Sequence, residues 1–453
     1  MRREGSVDML LRYIVSNYKS IGHNIEFSML PASEDIDDRF VTTISTKMGD
    51  WKVLRRGGLF GPNASGKSSF IQSVQYAKSM IVDGRKSGGT TGVNPFRGNL
   101  KSIGDQSTFQ FVIYADGDVY EYGFSVTRSR VSEEWLSILT ENNMQEIFQR
   151  TTDIEGYTDI KVNDEFYDKE NASLISILIN SMKKEQKNQL FLYKLFDNAI
   201  DVAKPLVNWF NEIQLIYPNT KVKGLPLAIK SNKDFRKYIS ESLRNLDTGV
   251  ESIYASEQPI DLYEYADKMK LSMQDISTIE NIKNGIVNIE GTYFLLQYDA
   301  NRTSEKTLLY KLEFRHFLNG KRVVFDFDEE SDGTQRLTDL LPMIFSLKMK
   351  SKQIFFVDEI DRSLHTKLSQ YLLNSFIADK EINNQIIFTA HDVNLINLDY
   401  FAQDEIWLMD KINTGETTVR SLSDYNIEED QNVLKGYLNG RFGAVPVIRR
   451  GNM

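Results

Sequence analysis

The stretch Gly61-Pro62-Asn63-Ala64-Ser65-Gly66-Lys67-Ser68 decides the fold, because it matches the complete phosphate-loop pattern G-x-x-x-x-G-K-[ST]. Its glycines allow the backbone to form a concave nest of N–H donors, and a following helix would point its positive end at the same place. In such a loop Lys67 neutralises the β and γ phosphates, and the Ser68 hydroxyl binds Mg²⁺. We therefore expect ATP and Mg²⁺ to bind here. The candidate nucleotide-binding residues of the loop are Gly61, Asn63, Gly66, Lys67, Ser68 and Ser69.

The residues on either side of the loop bear on this interpretation. Downstream, apolar residues at helical spacing predict an amphipathic helix that starts directly after the loop; they are Phe70, Ile71, Val74, Ala77 and Ile81. Upstream, Arg55-Arg56-Gly57-Gly58 stands where an apolar strand is usual. The alternative is a chance glycine-rich turn, and the helix after the loop argues against it.

A second motif, Ile354-Phe355-Phe356-Val357-Asp358-Glu359, predicts a strand that is buried on both faces and ends in two carboxylates. In α/β proteins, ligands bind at the carboxyl edge of the parallel strands. We expect Asp358 to hold the Mg²⁺ shell and Glu359 to orient and deprotonate the attacking water. A strand that ends in Asp-Glu is common, so this prediction depends on its pairing with the phosphate loop.

A third motif, Ser331-Asp332-Gly333-Thr334-Gln335, begins a predicted helix. Its residues are small and the first turn of a helix is rich in backbone N–H groups, so a γ-phosphate could dock there. Taken alone, such a segment is more often a simple helix cap. The candidate nucleotide-binding residues in this motif are Ser331, Gly333, Thr334 and Gln335.

A fourth motif, Ile386-Ile387-Phe388-Thr389-Ala390-His391-Asp392, predicts another buried strand that ends in polar residues. His391 is the candidate for a hydrogen bond to the γ-phosphate or to the catalytic water. A lone histidine at a strand end is usually structural, and its weight as a catalytic candidate comes from its position after Asp358-Glu359.

Composition excludes several classes of protein. The chain of 453 residues has no cysteine, which excludes disulfides and thiolate metal sites and fits a reducing compartment. The four histidines lack metal-ligand spacing, and no stretch approaches the roughly 20 apolar residues of a membrane helix. Too short an apolar run follows the amino terminus for a signal peptide. The net charge of −9 gives no global attraction to nucleic acid. We expect a cytoplasmic protein that does not contact membranes.

Patterning along the chain predicts three regions. Residues 1–165 contain two predicted hairpins, Leu10–Val15 with Ile25–Met29, and two strands joined at Asp116-Gly117. Residues 166–290 show helical periodicity and predict a helical insertion. Residues 291–453 return to strands and then alternate helix and apolar strand. The expected fold class is therefore α/β, with a mixed sheet, flanking helices and an antiparallel β segment, interrupted by the insertion.

The order of these motifs resembles that of the P-loop ATPases of ABC type in the SMC, RecF and OLD group. Asn17-Tyr18-Lys19-Ser20 is similar to the N-F-[KR]-S turn with which those proteins open, and the resemblance implies that Lys19 lies near the nucleotide. It also implies that ATP is buried between two copies, in a homodimer or higher oligomer whose sites are shared. His365 stands where transporter-type relatives have aspartate. Gln106 and Gln110 are both candidates for the Q-loop glutamine.

The chain resembles still more closely a family of bacterial AAA-type ATPases from abortive-infection and phage-defence loci. Four segments carry this resemblance: the loop with Ala64 where SMC proteins have glycine, the stretch from Asp358 to His365, the stretch from Thr389 to Leu395, and the ending Gly436–Pro446. The resemblance implies an ATPase that acts as sensor or regulator in antiviral defence. The residues after Glu359 are taken up by the last strand, His391 and the closing tail, so we expect a separate effector, a nuclease or toxin. The alternative is an ATPase of DNA repair or chromosome maintenance; a transporter subunit is the weakest reading.

DNA is a further possible partner, through one basic stretch in an otherwise acidic chain. Such a stretch is more often a solvated helix face or a protein contact. Its cations are Lys221, Lys223, Lys230, Lys233, Arg236, Lys237 and Arg244.

Overall fold

The computed structural model describes residues 8–167, 171–184, 186–222, 224–280, 286–289, 292–298, 305–349, 352–378, 384–425, 427 and 433–445. The chain divides into two compact units. The first unit consists of Met1–Pro218, Lys350–Asp361 and Ser369–Met453, and the second consists of Asn219–Met349 and Arg362–Leu368.

The described strands and helices are numbered in chain order. The strands are β1 Met9–Ser16, β2 Ile25–Ser28, β3 Val41–Thr46, β4 Gly49–Leu54, β5 Arg56–Phe60, β6 Ser107–Ala115, β7 Asp118–Val126, β8 Val131–Leu139, β9 Met144–Thr152, β10 Thr158–Val162, β11 Ile213–Ile216, β12 Val250–Ile260, β13 Ile286–Ile289, β14 Thr292–Tyr298, β15 Glu305–Leu318, β16 Lys321–Asp326, β17 Ile354–Val357, β18 Gln385–Ala390, β19 Ile406–Lys411 and β20 Thr417–Ser421. The α-helices are α1 Lys67–Lys78, α2 Leu100–Gly104, α3 Ala172–Lys184, α4 Phe191–Asp197, α5 Lys204–Glu212, α6 Leu225–Ser231, α7 Lys233–Asn245, α8 Leu262–Met269, α9 Met273–Glu280, α10 Asp332–Lys348, α11 Thr366–Asn374 and α12 Val433–Leu438.

Six strands of the first unit form a sheet in the order β11-β17-β18-β5-β19-β20. Neighbouring strands are parallel except for β19 and β20. Every residue of β5, β17 and β18 is buried, as two-sided coverage of parallel strands requires. Because these three strands run in the same direction, their carboxyl ends lie at one edge of the sheet. This arrangement brings the phosphate loop, Asp358-Glu359 and His391 to the same edge.

The unusual start of β5 is explained by its contacts. Arg56 is fully buried, and its guanidinium forms two hydrogen bonds of 2.9 Å with the Glu405 carboxylate. Such a pair satisfies two charges that would be costly to bury alone. A Cβ on Gly57 would lie only 2.6 Å from the ring of Phe27, so this position has no room for a side chain. A central strand can therefore have this composition because its charge is paired and its glycine allows close packing.

A second, antiparallel sheet of the first unit has the order β10-β9-β8-β7-β6-β1-β2. It confirms both predicted hairpins: β1 pairs with β2, and β6 pairs with β7. The turn residues Asp116 and Gly117 have φ values of +52° and +92°, as a tight Asp-Gly turn requires. Helix α1 packs against this sheet through Phe70, whose ring centroid lies 5.4 Å from Tyr13 and 5.3 Å from Phe27. The predicted helix after the phosphate loop is thus present and anchored in the core.

Residues 166–290 differ from the predicted helical insertion in two respects. Helices α3, α4 and α5 belong to the first compact unit, which extends to Pro218, and β11 adds an edge strand to the six-stranded sheet. The segment also contains the strands β12 and β13. A four-residue segment such as Ile213–Ile216, in which three residues are apolar, cannot be distinguished by periodicity from part of a buried helix. The compact units therefore do not follow the predicted boundaries at 165 and 290.

The second unit combines an antiparallel sheet with helices. Its strands have the order β12-β15-β14-β13, and β16 pairs with β15. Helix α10 packs near α7 through Phe345, whose ring centroid lies 4.9 Å from Phe235 and 5.3 Å from Tyr238. In this unit Ser331 lies between β16 and α10, at the N-cap of the helix.

Candidate functional site

The phosphate loop lies between β5 and α1, and its glycines are required by the local geometry. Gly66 has a φ of +109°, and a Cβ there would lie 2.1 Å from Thr417 Oγ1. A Cβ on Gly61 would lie 2.1 Å from the carbonyl oxygen of Met409. Both positions therefore exclude any residue with a side chain, which keeps the loop backbone close to the neighbouring strands.

Ala64 occupies a position of the loop that favours glycine. Its φ is +65°, in the left-handed region, where a Cβ costs roughly 1–2 kcal/mol. This is the position at which the sequence departs from the glycine of SMC proteins. The loop thus keeps the backbone shape that glycine would allow, at the cost of some strain.

Lys67 is buried, and its ammonium lies inside the loop. Lys67 Nζ donates to the carbonyl oxygens of Gly61 at 2.7 Å and Pro62 at 3.1 Å, and it lies 3.4 Å from His391 Nδ1. Burial lowers the pKa of the Lys67 ammonium to about 8, although the carboxylates of Asp361, Asp358 and Glu359 oppose this shift. A cation that is poorly solvated and held by carbonyl dipoles would gain from a polyphosphate beside it.

A cavity of about 350 Å³ opens over the loop. It brings together candidates from three of the four motifs, since the loop, Glu359 and His391 all line it. The lining residues are Ser20, Asn63, Ala64, Ser65, Gly66, Lys67, Ser68, Ser69, Glu359, His391 and Lys411. Its size and the charged and hydroxyl side chains that line it are suited to a phosphorylated ligand.

The two carboxylates after β17 lie in different surroundings. Asp358 is 4% exposed, and its Oδ1 accepts a hydrogen bond of 2.6 Å from Thr389 Oγ1. Glu359 reaches the cavity, and its Oε1 lies 3.6 Å from His391 Nε2. Its φ of +49° is unusual for a residue with a side chain, and such strain is concentrated at functional sites.

The Asn17–Ser20 turn contacts α1, and Ser20 rather than Lys19 lines the cavity. Lys19 Nζ donates to Gln72 Oε1 at 2.5 Å, and partial burial lowers the pKa of Lys19. Its neighbour Ser20 lines the cavity and donates to Ser69 Oγ at 3.0 Å. The role of Lys19 in nucleotide binding stays a prediction.

Sequence reasoning missed two other residues beside the predicted ones. Lys411 brings a second cation to the cavity from the end of β19. Thr389 contacts both Asp358 and Glu359. Lys411 belongs to no motif, so no sequence signal could have singled it out. Thr389 lies within the fourth motif, in which His391 is the catalytic candidate.

The third motif belongs to the second unit and is internally hydrogen-bonded. Ser331 Oγ accepts a hydrogen bond of 3.2 Å from Thr334 N, which caps α10. The Gln335 side chain donates to the Glu330 carbonyl at 3.0 Å, and Glu330 Oε1 lies 2.6 Å from His316 Nε2. The predicted helix start is therefore present, and its role at a γ-phosphate stays a prediction.

The remaining candidates from the sequence have these positions. His365 Nδ1 accepts from Lys367 N at 3.2 Å, at the start of α11. Gln110 lies on β6, and Gln106 directly precedes that strand; neither lines the cavity described above. The Q-loop assignment stays open between them.

Several cations of the predicted basic stretch have acidic partners. Lys221 forms an ion pair of 3.0 Å with Asp339, Lys230 pairs with Glu257, and Lys237 lies 3.9 Å from Glu241. Lys223 lies outside the described residues. Lys233 and Arg244 are exposed. Pairing reduces the positive charge that this surface could offer to DNA.

The loop and its neighbours fit ATP with Mg²⁺. Ser65 Oγ is buried without a hydrogen-bond partner in the described part of the chain, and it lines the cavity. Among the described residues no group of three or more His, Cys, Asp or Glu side chains could hold a metal ion. Mg²⁺ is often bound by one or two protein groups together with substrate phosphates. Ser68 and Asp358 would hold it in this way, together with the nucleotide.

Comparison with known proteins identifies the family. The family model described as "AAA domain, putative AbiEii toxin, Type IV TA system" matches residues 58–397, which is most of the chain. The chain belongs to this family. No curated protein matches it at a significant level.

Two solved structures are similar over most of their length. The SMC head domain from Thermotoga maritima is 12% identical, with a TM-score of 0.37, and the match covers 91% of this chain and 98% of that one. An SMC head bound to the C-terminal winged-helix domain of ScpA is 12% identical, with a TM-score of 0.38, and the match covers 91% and 97% of the two chains. The family match, the phosphate loop and the sheet identify an α/β P-loop NTPase. No helix in the described ranges is long and apolar enough to cross a membrane.

Proposed function

We propose that this chain binds ATP with Mg²⁺ in the cavity above the phosphate loop and hydrolyses it to ADP and phosphate. One observation carries the proposal: Lys67, His391 and Glu359 converge on one cavity, with Lys67 Nζ 3.4 Å from His391 Nδ1 and His391 Nε2 3.6 Å from Glu359 Oε1. The cation can neutralise the phosphates, and the imidazole and the carboxylate can position the water that attacks the γ-phosphate.

Each group has a distinct role in the proposal. Lys67 exchanges its carbonyl partners for the β and γ phosphates, since a desolvated cation gains most from an anion. Glu359 orients the attacking water and accepts its proton, and His391 donates a hydrogen bond to the γ-phosphate or the water. Ser68 and Asp358 would hold Mg²⁺, which would supply positive charge against the charge that develops on the phosphates.

Hydrolysis in this proposal requires two copies of the chain. The helix start at Ser331–Gln335 of one copy would dock on the γ-phosphate bound by the other, and two-fold symmetry would make the two sites equivalent. The helix amino end and its backbone N–H groups support this arrangement, because they favour an anion.

The biological role proposed here is control of a separate effector in antiphage defence, from the cytoplasm. The family description names a toxin and a toxin–antitoxin system, which supports a role beside a toxic partner. The second candidate is an ATPase of DNA repair or chromosome maintenance, for which the exposed Lys233 and Arg244 are the supporting observation. Identifying the neighbouring genes would distinguish the two, because a nuclease or toxin gene favours defence. Salt-dependent DNA binding that is lost in Lys233→Ala/Arg244→Ala would favour the second candidate.

The central experiment uses Glu359→Gln. This variant keeps the shape of the side chain and the Mg²⁺ ligand Asp358, but it loses the carboxylate that accepts a proton. ATP hydrolysis by the purified protein should fall on the order of 10²–10⁴-fold, and ATP should still raise its melting temperature. Hydrolysis at the wild-type rate in this variant would show that Glu359 is not the base.

A further inference from the structure

Thr389 contacts both acidic residues that follow β17, the carboxylate of Asp358 and the backbone of Glu359. Its Oγ1 donates to Asp358 Oδ1 at 2.6 Å and accepts from the backbone N–H of Glu359 at 2.8 Å. The backbone N–H of Ile360 donates to the Thr389 carbonyl at 3.0 Å. Thr389 is fully buried, two residues before His391 on β18. One side chain on the histidine strand therefore fixes the turn that carries Glu359.

Asp361, two residues after Glu359, contacts the backbone that carries His391. Its Oδ2 accepts hydrogen bonds from the backbone N–H groups of His391 at 2.8 Å and of Asp392 at 2.5 Å. Its Oδ1 is buried and has no hydrogen-bond partner among the described residues. One side chain on the Glu359 turn therefore fixes the backbone that carries His391.

We propose that Thr389 and Asp361 form a reciprocal clasp that sets the position of Glu359 relative to His391. Both are positioning residues. Thr389 acts through the backbone of Glu359, and Asp361 acts through the backbone of His391. The inference rests on the proposed ATP hydrolysis and adds two residues to it. The reciprocal clasp is defined as four hydrogen bonds: the one that Thr389 Oγ1 donates to Asp358, the one that it accepts from Glu359 N–H, and the two that Asp361 Oδ2 accepts.

The backbone of Glu359 shows why a clasp is needed. A φ of +49° is disfavoured for glutamate, and such a conformation persists only when its surroundings hold it. Without the bond from its N–H to Thr389 Oγ1, the turn keeps one of its two backbone bonds to Thr389, and the Glu359 backbone would relax toward the right-handed region. That change would move the Glu359 carboxylate away from the cavity. A displacement of about 1 Å at a catalytic group can cost on the order of 100-fold in rate.

Asp361 contributes charge as well as acceptors. Its carboxylate makes a larger electrostatic contribution at Lys67 than the carboxylate of Asp358 or Glu359 does. An asparagine could accept the same backbone hydrogen bonds through its amide oxygen, but it would remove this charge. Comparison of asparagine and alanine at this position therefore separates the anchoring of the His391 backbone from the electrostatic effect on Lys67.

The test measures kcat and KM for ATP in matched variants of the full-length protein. Thr389→Val keeps the shape and loses the hydroxyl; Thr389→Ser keeps the hydroxyl and loses a methyl group. We expect Thr389→Val to lower kcat on the order of 10–100-fold with little change in KM, and Thr389→Ser to restore most of kcat. Asp361→Ala should lower kcat, and Asp361→Asn should retain more of it.

Combination with Glu359→Gln distinguishes positioning from general packing. Once the carboxylate is gone, Thr389→Val should add little further loss, so the two effects should be far from additive. A normal kcat in Thr389→Val, equal losses in the Val and Ser variants, or additive losses would each overturn the clasp. If wild-type protein does not hydrolyse ATP, or Glu359→Gln leaves hydrolysis unchanged, the proposed function fails instead.

Discussion

Two helix starts in this chain are candidates for contact with phosphate, and their first turns are satisfied differently. Helix α1 follows Gly66, which offers no side chain to its N–H groups and has a left-handed φ of +109°. Helix α10 follows Ser331, whose hydroxyl accepts a hydrogen bond from Thr334 N. The first turn of a helix has unsatisfied N–H donors, and a side-chain cap satisfies one of them. The start of α1 is therefore more open to an external anion than that of α10.

The difference between the two helix starts predicts different roles for the two units in nucleotide binding and hydrolysis. The first unit also places Lys67 beside its helix start, with a buried ammonium held by two carbonyl oxygens. It should bind nucleotide by itself. The second unit has a capped helix start, so its phosphate contact would add only modest affinity. We expect it to act on hydrolysis rather than on binding, and the following predictions test this contrast.

The largest effect is expected from Lys67→Ala in the first unit. Removing the cation should abolish nucleotide binding, and with it a stabilisation of roughly 2–3 kcal/mol expected for the wild type at saturating ATP. The measurement is thermal unfolding with and without ATP. Lys101→Ala is the control, because Lys101 is an exposed lysine that does not line the cavity. A full ATP-dependent shift in Lys67→Ala would mean that the nucleotide binds elsewhere.

Gly333→Asp in the second unit should have the opposite profile. A carboxylate at this position would repel a γ-phosphate, so hydrolysis should be lost while ATP still stabilises the protein. A Cβ alone would lie 3.0 Å from the Ser363 carbonyl oxygen, which requires a small shift. Gly333→Ala therefore reports the steric part of the effect and should retain more activity than Gly333→Asp.

Mixing Gly333→Asp with Lys67→Ala tests whether the site is shared between copies. In a mixed dimer one composite site carries both changes and the other carries neither, so some ATPase activity should return. Native mass spectrometry would show whether mixed dimers form. Mixed dimers without activity would mean either that the sites are not shared or that both must act together.

The sequence indicated which motifs meet at one edge of the sheet better than it indicated the division of the chain into units. The phosphate loop, Asp358-Glu359 and His391 follow local rules, since each lies at the end of a buried parallel strand. Ile213–Ile216 was not predicted as a strand, because its place in the sheet depends on pairing with β17, more than a hundred residues away in the chain. Lys411 and Ser20 join the cavity only through the fold. A contact that depends on the pairing of strands far apart in the chain leaves no pattern in the local sequence.

The smallest effect is expected at the cap of α10. Ser331→Ala removes an N-cap and should lower the free energy of unfolding by about 1 kcal/mol. Asn232 is a matched control in the same unit, because its Oδ1 accepts a hydrogen bond of 3.0 Å from Phe235 N at the equivalent position of α7. Asn232→Ala should cost a similar amount of stability. If the start of α10 contacts phosphate, only Ser331→Ala should also lower kcat, by about fivefold for one neutral hydrogen bond. If both variants lose the same stability and have the same kcat, Ser331 only caps the helix and does not contribute to hydrolysis.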